Sequence, residues 1–285
     1  MEEVKYAHNV SLITTVYNEA GNIVKFLESY LSQDTYADEF IIIDGGSTDG
    51  TQDIMSNYAK EHTSLRIKIL IKEQYNRKYT ASPISVSRNF AIENCRNEII
   101  AVTDAGCTLN SNWFSEIIKP FEDNETDVVS GWYEVKPVNT FQELYCEMFI
   151  AKLETIRDET FLPSSRSLAF RKKCWKEVGC YPVKDAYCGE DTKFDLDLRK
   201  AGFKSRFAPK AIVFWNAPKT LKEANSKHYN YGFGDGVYKS FKGFYIKRII
   251  RVLFPIDLIF TTHRKEKYLI NYYMATGFIK GYFKG

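Results

Sequence analysis

An α/β fold built on a mostly parallel sheet is what the sequence predicts, and three features predict it. Short apolar runs alternate four times with amphipathic helical stretches in the first third of the chain. Each of the clearest runs ends in a polar or glycine-containing turn, as strands of a parallel sheet do where they face a crevice. The runs themselves are almost continuously apolar, which suits strands covered on both faces.

Taken in order, residues 9–16 read as a strand and 21–33 as a helix, with Ile23, Phe26, Leu27, Tyr30 and Leu31 on one face. A second strand at 40–43 ends in Asp44-Gly45-Gly46-Ser47-Thr48-Asp49-Gly50 and opens into a helix at 51–61, with Asp49 and Gln52 spaced as a capping box. A strand at 66–71, a helix at 83–95 and a strand at 98–103 follow, the last delivering Asp104. The second half predicts a helix at 113–121, a strand at 127–133, a long amphipathic helix at 140–157, a short strand at 167–170 and a helix at 171–178. A loop at 179–188 then presents Gly189-Glu190-Asp191-Thr192 to a helix that Gly202 stops, before two strands at 204–208 and 211–215. No linker interrupts this region, so 1–218 reads as one domain, divided into a nucleotide-binding half at 1–110 and an acceptor-binding half at 111–218. Residues 219–285 read as a C-terminal helical extension.

With 285 residues, 44% hydrophobic and 26% charged, the chain has ample material for a large core, and disorder is excluded. The net charge of +3 conceals an asymmetry. Residues 219–285 carry 13 Lys and Arg against 4 Asp and Glu, a net of +9, which leaves −6 on the rest. A basic, aromatic tail on an acidic body points to an anionic partner. The six cysteines form no Cys-x-x-Cys pair and no zinc spacing, and the start of the chain has no long apolar leader core. Reduced cysteines in a cytoplasmic protein are expected. No stretch approaches the roughly 20 uninterrupted apolar residues of a spanning helix.

Thr15-Val16-Tyr17-Asn18-Glu19, the Asp44 turn and Asp104 close three strands that share one edge of a parallel sheet. Carboxylates and amides there suit a base and ribose, and exposed backbone amides suit phosphate oxygens. The P-loop and the Gly-x-Gly-x-x-Gly signature are both missing after the first strand, which disfavours a P-loop NTPase and a dinucleotide enzyme.

Val16-Tyr17-Asn18-Glu19, Ile43 to Thr51, Ser87-Arg88-Asn89, Thr103-Asp104-Ala105-Gly106 and Gly189-Glu190-Asp191-Thr192 occur in the order seen in family 2 glycosyltransferases, and over residues 8–235 the chain resembles that family. The resemblance implies a GT-A fold, a Rossmann-like and mostly parallel sheet flanked by helices. It also implies a nucleotide-diphosphate-sugar donor, linked to UDP, GDP or dTDP, and inversion at the anomeric carbon. Position by position, Thr15, Tyr17, Glu19, Asp44, Ser47, Arg88, Asp104 and Ala105 resemble donor contacts, Asp44 resembling the residue that reads the base. Asp191 resembles the catalytic base, with Glu190 beside it orienting the acceptor or holding the loop. Asp104 resembles the first acid of an Asp-x-Asp motif that bridges diphosphate and a divalent cation, Mg²⁺ or Mn²⁺. Gly106 stands where that motif has its second acid. His228 is a candidate metal ligand or an ordinary polar residue on a helix. Arg166 either stabilises the departing diphosphate or is a surface residue, and Trp132 either lines the acceptor pocket or belongs to the core.

The glycine-rich segment 229–236 predicts a flexible turn able to act as a lid. After it, Phe241, Phe244, Tyr245, Ile249, Ile250, Val252, Leu253 and Phe254 mingle with Lys242, Lys247, Arg248 and Arg251. Such a helix fits an anionic membrane surface with its cations snorkelling; packing on the catalytic domain or an oligomer interface is the alternative. No nucleic-acid module is recognisable. The expectation is therefore a transferase building a cell-surface glycan or glycolipid on a glycan or lipid-linked acceptor, peripheral on the inner face of the cell membrane. A non-catalytic nucleotide-sugar or glycan-binding protein of the same fold is the alternative.

Overall fold

The computed structural model describes residues 5–156, 161–256 and 262–285. Its centre is an eight-stranded sheet in the order β3-β2-β1-β4-β7-β6-β8-β5. The strands are β1 (Tyr6–Val16), β2 (Tyr36–Asp44), β3 (Ile67–Ile71), β4 (Ile99–Val102), β5 (Cys107–Leu109), β6 (Val128–Glu134), β7 (Leu168–Arg171) and β8 (Ser205–Trp215). Strands β1 to β4 pair in parallel, whereas β7 runs antiparallel to β4 and β6, and β5 antiparallel to β8. This mixed, mostly parallel sheet with helices on its faces is the GT-A fold.

The apolar runs explain the centre. In β1 and β2, Leu12, Ile13, Phe40, Ile41, Ile42 and Ile43 are all fully buried, because alternate residues meet helices on opposite faces. One core, around Phe26, Tyr30, Phe40, Trp113 and Phe114, lies under α1 (Ile23–Leu31) and α4 (Trp113–Ile118). The other, around Ile92, Phe170, Trp175, Tyr181 and Phe194, lies under α3 (Pro83–Asn94), α6 (Lys172–Glu177) and α7 (Glu190–Lys200).

Several expectations need correction. The helix α2 (Thr51–Glu61) has the predicted bounds, but its first turn holds no capping box: Asp49 accepts from the Thr51 amide, and Gln52 reaches across to Asp44. The long helix at 140–157 is α5 (Thr140–Phe149), which ends where Ile150 turns extended; Arg157 lies outside the described residues. The two strands at 204–208 and 211–215 are one strand, β8. Its pairing with β6 skips from Ser130↔Phe207 to Trp132↔Ile212, and Pro209, which has no N–H to donate, sits in that break. Gly131 marks the crowded point, since a Cβ there would lie 1.9 Å from the Ser167 hydroxyl and 2.6 Å from the Ala211 carbonyl oxygen.

The largest correction concerns 229–236. It is no turn but the second half of an 18-residue helix, α8 (Leu221–Tyr238), followed by α9 (Lys242–Leu253) and α10 (Arg264–Lys284). Its glycines permit contact rather than flexibility. A Cβ on Gly232 would lie 2.0 Å from the Met274 carbonyl oxygen, and one on Gly236 would lie 2.3 Å from that of Phe278. From α10, Cβ atoms on Gly277 and Gly281 would lie 2.2 and 2.1 Å from the carbonyl oxygens of Tyr229 and Phe233. Small residues four apart on both helices let the two backbones touch. Between them and α9, the Tyr245 ring stacks on Phe278 at 4.0 Å while its hydroxyl donates to Asp235 at 2.5 Å.

Gly281→Ala is expected to force the α8–α10 crossing apart, because backbone rather than a movable side chain blocks the new methyl. Overpacking of this kind costs about 1–3 kcal/mol, read as a lower urea midpoint; an unchanged midpoint would show that the crossing yields.

Candidate functional site

The carboxyl ends of β1 and β4 and the amino end of α7 open on one cleft of about 970 Å³, walled on its far side by α8. The turns after β1 and β2 are laced together. The Asn18 amide donates to the Ser47 hydroxyl, the Glu19 amide to Thr51, the Ala20 amide to Asp49, and the Thr48 amide to the Asn18 side chain. Asn18 takes a left-handed φ of 54° and Gly46 one of 81°, which lets the two turns nest.

This lacing separates the expected donor residues into two groups. Thr15, Tyr17, Glu19, Arg88, Asp104, Ala105 and Arg166 line the cleft. Asp44 and Ser47 do not. Asp44 is fully buried, and its carboxylate accepts from the Gly46 and Ser47 amides, the Ser47 hydroxyl and the Gln52 amide group. Its hydrogen bonds hold the turn on which Gly45, a lining residue, is carried.

At the cleft floor, Arg88 of α3 is 4% exposed and forks between two carboxylates. One guanidinium nitrogen donates to Asp104 and the other to Glu190, each at 2.8 Å. Burial works against the charge of Arg88, but Asp104 and Glu190 outweigh it and hold its pKa above the ordinary value. Glu190 is equally buried; loss of water and the neighbouring Asp191 push it up to about 7 against the pull of Arg88. Arg88 thus ties the end of β4 to the first turn of α7.

Asp191 follows Glu190, lines the cleft and, among the described residues, accepts only from the Thr192 amide 2.8 Å away. One helical turn on, Asp195 is buried with neither carboxylate oxygen hydrogen-bonded among the described residues. Burial, then the charge of Asp191, raises its pKa well above the usual carboxylate range.

The opposite wall is cationic. Arg166 donates to the Ser164 hydroxyl at 2.8 Å and to the Tyr231 hydroxyl at 3.0 Å, leaving its Nε without a partner. Its guanidinium lies 4.5 Å from the centre of the Trp215 ring, and the Lys227 ammonium 4.4 Å from it. Neither cation forms an ion pair with a carboxylate among the described residues. Burial and then Arg166 lower Lys227 to about 8, with Asp104 pulling the other way. Two cations stacked on one indole without a counter-ion make a place for an anion. Lys227 was not singled out by the sequence, although its place beside His228 on one helix is a signal.

His228 is buried among Tyr145, Phe149 and Tyr231, with Nε2 3.0 Å from the Tyr145 hydroxyl and Nδ1 unpartnered. Trp132 lines the cleft but is nearly buried, stacked on Tyr133. Among the described residues no three His, Cys, Asp or Glu are gathered to hold a metal, and Asp104 and His228 both line the cleft. Asp104 nevertheless keeps one carboxylate oxygen without a protein partner, in a side chain 37% exposed, and a Cβ on Gly106 would meet nothing within 4 Å. One carboxylate beside open space suits a hard cation that keeps waters and takes its other oxygens from a ligand.

His228 gives the site a pH signature. Burial, followed by Arg248 and Lys227, lowers its pKa to about 4 from 6.5. The unfolded chain therefore takes up a proton as pH falls below 6.5 while the folded chain does not, so stability present above pH 6.5 is lost on the way down to pH 4, by roughly 3 kcal/mol at most. His228→Gln is expected to lose less stability over that interval than the parent, by urea midpoints at each pH; parallel profiles would assign the acid loss to other groups.

The comparisons with known proteins agree with this arrangement. The family described as Glycosyl transferase family 2 matches residues 11–188. Glycosyltransferase AglE of Haloferax volcanii is 28% identical over 208 residues, covering 71% of this chain and 65% of that protein, so the match spans just under two thirds of its length. A Methanococcus voltae protein, dolichyl N-acetyl-alpha-D-glucosaminyl phosphate 3-beta-D-2,3-diacetamido-2,3-dideoxy-beta-D-glucuronosyltransferase, is 24% identical over 88% of this chain and 79% of its own. Among solved structures, the mannosyltransferase PcManGT from Pyrobaculum calidifontis, in complex with GDP-Man and Mn²⁺, superposes with a TM-score of 0.69 at 16% identity, covering 97% of this chain and 87% of that one. Sequence motifs, fold and family match converge: the chain belongs to glycosyl transferase family 2.

Proposed function

We propose that the chain is an inverting glycosyltransferase that moves a hexosyl unit from a nucleotide-diphosphate sugar to a hydroxyl of a glycan or lipid-linked acceptor. One observation carries this reading: a single cleft holds Asp104, Glu190 and Asp191 together with Arg166 and Lys227, two cations in no ion pair among the described residues. The nucleoside of a UDP-, GDP- or dTDP-linked donor lies along Thr15, Tyr17 and Glu19, with Asp44 and Ser47 fixing the adjoining turn. Ala105 and Asp104 lie beside the diphosphate. A divalent cation, Mg²⁺ or Mn²⁺, would be held by Asp104 and by oxygens of the donor, with His228 a further candidate ligand, and would supply charge neutralisation there. The PcManGT complex, which holds GDP-Man and Mn²⁺, supports both ligand classes.

In the transfer itself, Asp191 takes the proton of the acceptor hydroxyl as its oxygen bonds to the anomeric carbon from the face opposite the nucleotide. The bond from that carbon to the diphosphate oxygen breaks, and its electron pair leaves with the diphosphate. Arg166 and Lys227 offset the charge that develops there. Glu190, fixed by Arg88, orients the first turn of α7 and so the base. Trp132 offers an indole face to the acceptor.

The acceptor reaches the cleft from a membrane. No helix among the described residues is long and apolar enough to cross a bilayer. Along α9, however, Ile246, Ile250 and Leu253 form an exposed apolar stripe, continued by Phe254 and Ile256 and flanked by Lys247 and Arg251. With the +9 charge of residues 219–285, this matches the anionic headgroups of the inner face of a cell membrane. The Methanococcus voltae relative, whose name specifies a dolichyl phosphate-linked acceptor, supports a lipid-linked substrate for envelope glycan synthesis.

A panel of nucleotide sugars with and without Mg²⁺ or Mn²⁺ is expected to contain a donor that raises the thermal midpoint and is slowly hydrolysed. Asp191→Asn is expected to cut turnover by about 10²–10⁴-fold while nucleotide affinity holds. Donor binding without any turnover would instead favour a non-catalytic sugar-nucleotide binding protein, the reading that Gly106 favours. For the membrane, Ile250→Glu with Leu253→Glu is expected to abolish sedimentation with anionic vesicles; unchanged sedimentation removes α9 from that role.

A further inference from the structure

The cleft does not end at the donor cations. It continues past His228 to Phe241, Arg248 and Met274, side chains contributed by α9, α10 and the turn before α9. Arg248 is a cation with very little to neutralise it. One guanidinium nitrogen donates to the Asn271 side chain, the Nε has no partner, and no carboxylate pairs with it among the described residues. Its neighbours are Phe244, whose ring centre lies 4.6 Å away, Tyr245 and the cation Arg251. None of the proposed donor chemistry uses it. Arg248, Lys227 and His228 line one cleft.

Arg248 shares the cleft with apolar side chains. Phe149 packs on His228 with ring centres 4.6 Å apart, and Phe149, Ile150, Ala151, Phe241 and Met274 all line the same cavity. On its outer side, α9 turns the exposed stripe of Ile246, Ile250 and Leu253 to solvent. A half-buried guanidinium whose Nε has no partner among the described residues, in a cleft it shares with Phe241 and Met274, suits a compact anion attached to hydrocarbon.

We propose that Arg248 holds the phosphate of an amphiphilic acceptor in which a hydrocarbon chain, a phosphate and the sugar to be extended are joined in that order. The assignment rests on the transferase reading for its biological sense, yet it is a binding site in its own right. The hydrocarbon lies along Phe241 and Met274, the phosphate meets Arg248, and the sugar extends towards Asp191. The donor diphosphate keeps its own cations, Arg166 and Lys227. Two anions can then occupy the cleft together without competing for one charge.

The test uses the full chain and three probes: decyl phosphate below its aggregation threshold, 1-decanol and inorganic phosphate, with binding followed by calorimetry. Decyl phosphate is expected to bind at least about tenfold more tightly than either other probe. Arg248→Gln should erase that preference and Arg248→Lys should retain most of it, which separates a lost charge from a lost fold. Arg166→Gln should weaken UDP or GDP binding and leave decyl phosphate affinity unaltered. Equal binding of inorganic phosphate and decyl phosphate would reduce the site to a free-anion site and overturn the proposal, as would wild-type decyl phosphate binding by a folded Arg248→Gln variant. Absence of donor turnover would sink the transferase reading alone, since these probes need no sugar transfer.

Discussion

Everything at the cleft floor depends on the fork of Arg88 between Asp104 and Glu190. Two carboxylates brought together from distant parts of the chain repel each other, and burying a carboxylate without a partner costs several kcal/mol. One guanidinium answers both, with the planar geometry that suits two carboxylates at once. The interaction also joins parts that have little else in common. Asp104 follows β4 in the parallel half, whereas Glu190 begins α7, more than eighty residues later. Fixing Glu190 fixes the first turn of α7, and so the position from which Asp191 looks into the cleft.

The electrostatics grade from that floor outward. Arg88 is fully answered by acids, Arg166 and Lys227 share an indole while Arg166 also has two hydroxyls, and Arg248 has one side-chain amide. Charges that a protein leaves unanswered inside a cavity are costly unless something else completes them. The unpartnered atoms of Glu190, Asp195, Arg166, His228 and Arg248 all belong to residues in or beside this cleft, which is where a ligand's polar groups would be received.

The parallel half of the sheet was legible because its strands are buried on both faces and their apolar runs stop at unmistakable turns. The helix at 51–61 was read to its ends for the same reason, since glycine punctuates its start. The motifs around Tyr17, Arg88, Asp104 and Asp191 also brought together residues that the fold does place on one cleft. Asp44 was legible as part of a motif but not as a turn-holder, because hydrogen bonds to amides two and three residues away leave no trace in composition. The short strand β5 escaped notice because three residues after Gly106 carry no periodicity. Lys227 was hidden for a different reason: a lone lysine on a helix is ordinary until Trp215 and Arg166 are found beside it. The glycines of 229–236 misled most. In one sequence a glycine that loosens a chain and a glycine that admits a neighbouring backbone look the same, and only the matching four-residue spacing at Gly277, Gly281 and Gly285 distinguishes them.

That spacing has a consequence for how the cleft is kept in shape. The helix α8 presents Lys227, His228, Tyr231 and Asp235 to the cavity and notches Gly232 and Gly236 into α10. Notches that each admit one particular carbonyl oxygen allow no small slip; the next seating lies a full helical turn away, about 5.4 Å. The wall of the cleft is therefore indexed, like a ratchet, by residues of α10. Changes at Gly277 or Gly281, which touch nothing in the cavity, would behave in a genetic screen as active-site lesions.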